Sequence, residues 1–104
     1  MYIELSKSPI RGKKWQVILY ENKEGGKKIK TLHFGATGYD DYTSHGDEKR
    51  KENYITRHRA REDWGKSGID TPGFWSRWLT WNKSSIGASI SDIENKFNVD
   101  IVKK

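Results

Sequence analysis

The sequence predicts an α+β domain: a small antiparallel three-stranded meander followed by two to three helices packed on one of its faces. Three observations predict it. The first third alternates short runs rich in aromatic and β-branched residues with turn chemistry, reading YIEL, KKWQVILYE and KKIKTLHFG. Residues 47–63 then contain neither Gly nor Pro and open on acids that suit a helix N-terminus. Beyond them, apolar residues recur at helical rather than strand spacing. No repeat, low-complexity tract or interdomain linker divides the 104 residues, so residues 1–104 are one domain, with the meander over 1–37 and the helical part over 38–104.

Within the meander, SPIRG connects the first two strands and ENKEGGKK supplies a hairpin turn in which Gly25 and Gly26 can take positive φ. In the second strand Trp15, Val17 and Leu19 point one way and Gln16, Ile18 and Tyr20 the other. Apolar residues on both faces place this strand at the centre. A meander of this size needs a partner on its apolar face.

The helix over 47–63 carries a capping-box spacing at Ser44 and Asp47, and its thin apolar stripe is Tyr54 and Ile55 with His58. Gly65 and Gly68 break it. Asp70 or Thr71 then caps a second helix with Pro72 at its first position. Phe74, Trp78 and Trp81 fall at i, i+4 and i+7 with Trp75 and Leu79 beside them, which predicts the lid over the sheet. Ile86, Ile90, Ile93 and Phe97 predict a third helix, with SDIE as its cap and DIVKK as a frayed end.

Composition bounds function. Hydrophobic and charged residues each make up 33% of the chain, so the five Trp, five Tyr and three Phe must supply much of the core. There is no cysteine, which excludes disulfides and thiolate metal sites. No run is long and apolar enough to span a bilayer and the N-terminus lacks a signal-peptide core, so a soluble, non-secreted protein without membrane partners is expected. The net charge is +6, and residues 1–35 hold eight Lys/Arg against three Asp/Glu. That excess attracts polyanions through a salt-sensitive term, or simply keeps sheet edges soluble.

The polar run over 38–64 holds His45 and His58, six Lys/Arg and seven Asp/Glu. It has no zinc-helix spacing, and Asp40 and Asp41 with His45 are its one nuclease-like cluster, a pattern that turns and caps also produce. No G-x-S-x-G or phosphate-loop motif is present. Arg50, Tyr54, Arg57 and Arg61 fall on one helical face, where guanidinium groups can follow a phosphate backbone. Against this, five acids on the same helix can neutralise it through local pairs. Trp64, Trp75, Trp78 and Trp81 read as core residues before base-stacking ones.

Three linked motifs then stand out: Asp41, Tyr42, Thr43 and His45 as D-Y-T-x-H; Arg57, His58, Glu62 and Trp64 as R-H-x-x-x-E-x-W; and G-F-W-S-R-W-x-x-W-N-K from Gly73 to Lys83. With Ser89, Ile90, Asp92 and Ile93 they resemble an uncharacterised family of small basic proteins encoded by nucleocytoplasmic large DNA viruses and some related viruses. Gly46 and Ser84, both in connections, depart from the pattern. The resemblance implies a viral origin and a place in the host-cell cytoplasm or the virion, and it carries no activity with it.

The expected function is that of a non-enzymatic basic viral accessory protein. It binds nucleic acid, DNA ahead of RNA, through Lys13, Lys14, Lys28 and Lys30 of the sheet and Arg50, Arg57 and Arg61 of the helix. Asp41, Tyr42, Thr43, His45 and His58 are expected to form a polar network fixing the loop between sheet and helix. No catalytic residue, metal ligand or cofactor is assigned. Two alternatives stay open: a virion structural or minor capsid protein contacting viral structural proteins through exposed Trp75, Trp78 and Trp81, and a metal-dependent nuclease built on Asp40, Asp41 and His45.

Overall fold

A computed structural model describes residues 1–23 and 25–104, leaving Glu24 of the expected hairpin turn outside the described residues. Strands β1 (Tyr2–Lys7), β2 (Lys13–Tyr20) and β3 (Lys28–Ala36) form the antiparallel meander. The helical elements are α1 (Tyr42–His45), α2 (Glu48–His58), α3 (Pro72–Trp75) and α4 (Ile86–Phe97), and β4 (Asp100–Lys103) closes the chain.

The sheet has four strands in the order β3-β2-β1-β4, so the three-stranded, purely antiparallel expectation is corrected to a mixed sheet. The DIVKK segment is a strand, not a frayed end. Asn98 takes φ 54 and stops α4, and β4 then pairs in parallel with β1, Ile3 opposite Ile101. The Ile101 N–H donates to the Glu94 carboxylate at 3.0 Å, which ties the returning strand to the helix it leaves. As predicted, β2 lies inside the sheet.

Alternation along the strands sends Ile3, Leu5, Val17, Leu19, Leu32, Phe34 and Ile101 to one face, where Phe74, Trp75, Leu79, Ile93 and Phe97 cover them. Residues on the other face, such as Gln16, Ile18 and Tyr20, stay half-buried. Trp75 is fully buried and its indole N–H donates to the Ile69 carbonyl at 2.8 Å, so the largest core side chain leaves no polar group unpaired.

The aromatic lid forms, with a different face. Thr71 caps α3 and Pro72 takes its first position, as expected, but after Trp75 the helix widens into a π turn over Ser76–Thr80, where the Trp81 N–H donates to the Ser76 carbonyl. The extra residue per turn moves Trp78 and Trp81 off the sheet-facing line. Phe74, Trp75 and Leu79 are fully buried in their place, while Trp78 and Trp81 are half-buried against α4 and α2.

The caps also shift. Ser44 does not cap α2: it forms the capping box of α1 with Asp41, and Asp47 itself caps α2, accepting from the N–H groups of Lys49 and Arg50. Ser85, not SDIE, caps α4, and SDIE lies inside that helix. Finally, α2 does not lay its apolar stripe on the sheet. Its buried Tyr54 stacks on Trp81, centroids 4.5 Å apart and planes within 2° of parallel, so the helix docks on the π turn.

Candidate functional site

That docking leaves a cleft of about 650 Å³ at the open end of the meander. One wall is the start of β2 with Lys13 and Lys14, and the end of β3 running into the loop that carries Tyr39, Asp40 and Asp41. The facing wall is α2, contributing Arg50, Asn53, Tyr54, Arg57 and His58. Gly73, Ser76 and Trp81 close the back, and Phe34 joins the lining from the core. The volume is that of an ordinary ligand site.

Local sequence sets each wall. Gly35 takes φ 75 at the end of β3, with a Cβ there meeting the Lys14 stem at 3.3 Å, so glycine lets the lysine cross it. Lys14 then donates to the Asp41 carboxylate at 2.9 Å and to the Tyr39 carbonyl at 2.5 Å, which pins the loop to β2. On the far side Glu62 accepts from the Trp64 indole at 2.9 Å and lies 3.8 Å from the His58 ring. A Cβ on Gly73 would sit 2.6 Å from that carboxylate, so Gly73 in the tryptophan motif is the space Glu62 occupies.

The electrostatics follow from these pairings. Asp41 is spent on Lys14, and Glu62 on Trp64 and His58. Among the described residues Lys13, Arg50 and Arg57 form no ion pair within 4.0 Å, and all three are exposed. Of the local pairs expected to neutralise this helix, Lys49 with Glu52 at 4.0 Å and His58 with Glu62 at 3.8 Å form among the described residues, and neither engages Arg50 or Arg57. The cleft therefore presents three free cations against one free carboxylate, Asp40, above an aromatic floor. Burial, and next the nearby Glu62, push the Tyr54 phenol well above its ordinary range, so it stays neutral across physiological pH.

The expected site residues divide. Lys13, Lys14, Arg50, Arg57 and His58 come together in the cleft. Lys28 and Lys30 lie toward the hairpin end of the sheet, where Lys30 donates to the Asp70 carbonyl at 3.1 Å. Arg61 leaves the face it was assigned to, because the last turn tightens to a 3₁₀ turn over Arg59–Arg61.

Asp41, Tyr42, Thr43 and His45 gather around α1, and of these Asp41 alone shares the cleft lining with His58. Asp41 caps α1. Tyr42 lies under the Lys51 ammonium, 4.6 Å from the ring centroid, and its phenol is raised chiefly by a hydrogen bond to Glu48. Thr43 donates to the Thr80 carbonyl at 3.3 Å. The His45 Nδ1 accepts from the Asp47 backbone N–H at 2.9 Å. Burial lowers the Lys51 ammonium, which donates to the Asn82 carbonyl at 2.6 Å and so fastens α2 to the segment after the π turn.

Two conditions set by the alternatives are not met. Asp40 and Asp41 line the cleft while His45 packs edge-on against Trp81, 5.4 Å between centroids, and no three metal-binding side chains converge among the described residues. Trp75 is buried and Trp78 and Trp81 half-buried, so the tryptophans leave no exposed patch. Sequence reasoning missed Tyr39, Phe34 and Gly73 as cleft residues; an aromatic beside a Gly in a turn was the one available signal, at Tyr39.

Residues 3–58, just over half of the chain, match the model of a family of unknown function, DUF5754. The match spans the meander, α1 and α2, and ends before the tryptophan motif. No curated protein and no solved structure matches the chain.

Proposed function

We propose that this chain, which belongs to the DUF5754 family of unknown function, is a non-enzymatic nucleic-acid-binding protein whose cleft grips the phosphate backbone. One observation carries the reading: Lys13, Arg50 and Arg57, from elements remote in sequence, line one cleft and form no ion pair there among the described residues. All three are exposed, so their charged groups are free to meet an anion that enters the cleft. Arg50 and Arg57 stand two helical turns apart, about 10 Å along the axis, which suits successive backbone contacts. The viral accessory role implied by the resemblance belongs to the same proposal.

The test is fluorescence anisotropy of labelled DNA and RNA between 50 and 200 mM salt, roughly the range in which phosphate contacts change affinity by orders of magnitude. Micromolar or tighter binding with a steep salt slope is the expected result, and Arg50→Ala with Arg57→Ala should flatten the slope by about 1.4 for a single strand. No binding at the lowest salt would discard the reading.

A further inference from the structure

We infer that the cleft takes single-stranded nucleic acid, with an unpaired base stacked on the ring of Tyr39; this rests on the nucleic-acid reading above and narrows it. Four large apolar side chains are exposed among the described residues: Ile10, Ile29, Tyr39 and Val102. Tyr39 is the most exposed of them at 75%, and it alone of the four lines the cleft. Single exposed aromatics are ordinary on protein surfaces. What distinguishes this one is a fixed backbone beside free cations.

The loop that carries it is held at several points. The Thr37 N–H donates to the Gly12 carbonyl at 3.0 Å, Gly38 turns the chain at φ 84, the Lys14 ammonium binds the Tyr39 carbonyl, and Asp41 then caps α1. A phenol ring on a pinned loop loses little freedom when a base stacks on it, and that is the economical way to recruit a flat apolar face. The phenol adds no charge to a cleft that already supplies it.

Shape selects the strand number. A helix that reads duplex DNA must protrude into a groove about 12 Å wide. Here the Arg50 and Arg57 face of α2 looks into a concavity whose opposite wall is Lys13 and the Tyr39 loop. A duplex can offer its phosphates to the exposed Arg50 and Arg57 but keeps its bases paired and stacked, away from Tyr39. A single strand can enter, lay its phosphates against Arg50, Arg57 and Lys13, and turn a base outward to Tyr39. Duplexed bases, already stacked on one another, have no face free for the ring.

The experiment compares a labelled 12-nucleotide single strand, as DNA and as RNA, with the same DNA sequence as a duplex, using the full chain and its Tyr39→Ala and Tyr39→Phe variants. The exposed ring makes no buried contact, so both variants should fold, and circular dichroism checks this. Tighter binding of the single strand than of the duplex is expected. Tyr39→Ala should weaken the single strand by roughly five- to 150-fold with an unchanged salt slope, since stacking and not charge is removed. Tyr39→Phe should bind as the parent does, and the duplex should be indifferent to both. Equal affinity for duplex and single strand, an unaffected Tyr39→Ala, or a mononucleotide competing as well as the 12-mer would overturn this inference while leaving the polyanion cleft standing. Failure of every nucleic acid to bind would remove both.

Discussion

The two ends of the β2–β3 hairpin carry similar sequence and different surroundings. Lys28 and Lys30 mark the hairpin end, Lys13 and Lys14 the open end, and the eight residues of β2 put about 24 Å between them. Both ends are basic, and composition treats them as one positive sheet. The fold does not. At the hairpin end Lys28 is exposed on an edge strand and Lys30 bonds a backbone carbonyl, which suits a lysine that keeps an edge soluble. At the open end α2 arrives across the gap, and Lys13 is joined by Arg50 and Arg57 over aromatic rings. Positive charge becomes a candidate site where a second element faces it.

The two ends should differ most in their core. Phe34 is buried at the cleft end of β3, and Phe34→Ala should cost about 3–5 kcal/mol, whereas Ile29→Ala on the exposed hairpin side should stay within about 0.5 kcal/mol. Urea denaturation reads both. If the two were equal, the open end would not be the packed end. Next in size is the loop that pins the wall: Asp41→Ala removes both the α1 cap and the carboxylate facing Lys14, a loss of about 1–2 kcal/mol measurable in the same way. Lys28→Ala with Lys30→Ala should leave both stability and the salt slope of DNA binding near the parent values, in contrast to Arg50→Ala with Arg57→Ala.

The smallest effect concerns pH. The Tyr54 phenol is raised in the folded chain, first by burial and then by Glu62. Above the ordinary phenol value of about 10, the unfolded chain loses this proton more readily than the folded one. The contribution of Tyr54 is thus complete below that value and is lost as pH rises beyond it. Tyr54→Phe should make denaturation midpoints between about pH 10 and 11 less steep in pH than the parent's, and an unchanged slope would contradict the burial of this hydroxyl.

How far the sequence could lead is clearest in particular elements. The interior place of β2 was legible because Trp15, Val17 and Leu19 on one side and Ile18 and Tyr20 on the other make it apolar on both faces. Thr71 and Pro72 announced α3 by chemistry that works locally. β4 was not legible: its four residues end in Val102 and Lys103, and a parallel edge strand draws its stability from β1, nearly a hundred residues earlier. The π turn was hidden because its effect is a register change and its residues, Ser76–Thr80, would serve an α-helix equally well. The Arg50, Tyr54 and Arg57 face followed from helical spacing, and Arg61 failed because a tightened final turn rotates it away. The cleft itself was out of reach, since Lys13 and Arg57 are brought together only when Tyr54 stacks on Trp81.

If the open end, not the hairpin end, meets the polyanion, the cleft residues must sense a bound strand. Backbone and side-chain NMR shifts of the labelled protein, titrated with a 12-nucleotide single strand at low salt, decide this. Shifts concentrated at Lys13, Tyr39, Arg50 and Arg57 are expected, with Lys28 and Lys30 unmoved. Shifts centred on Lys28 and Lys30, with a silent cleft, would contradict it.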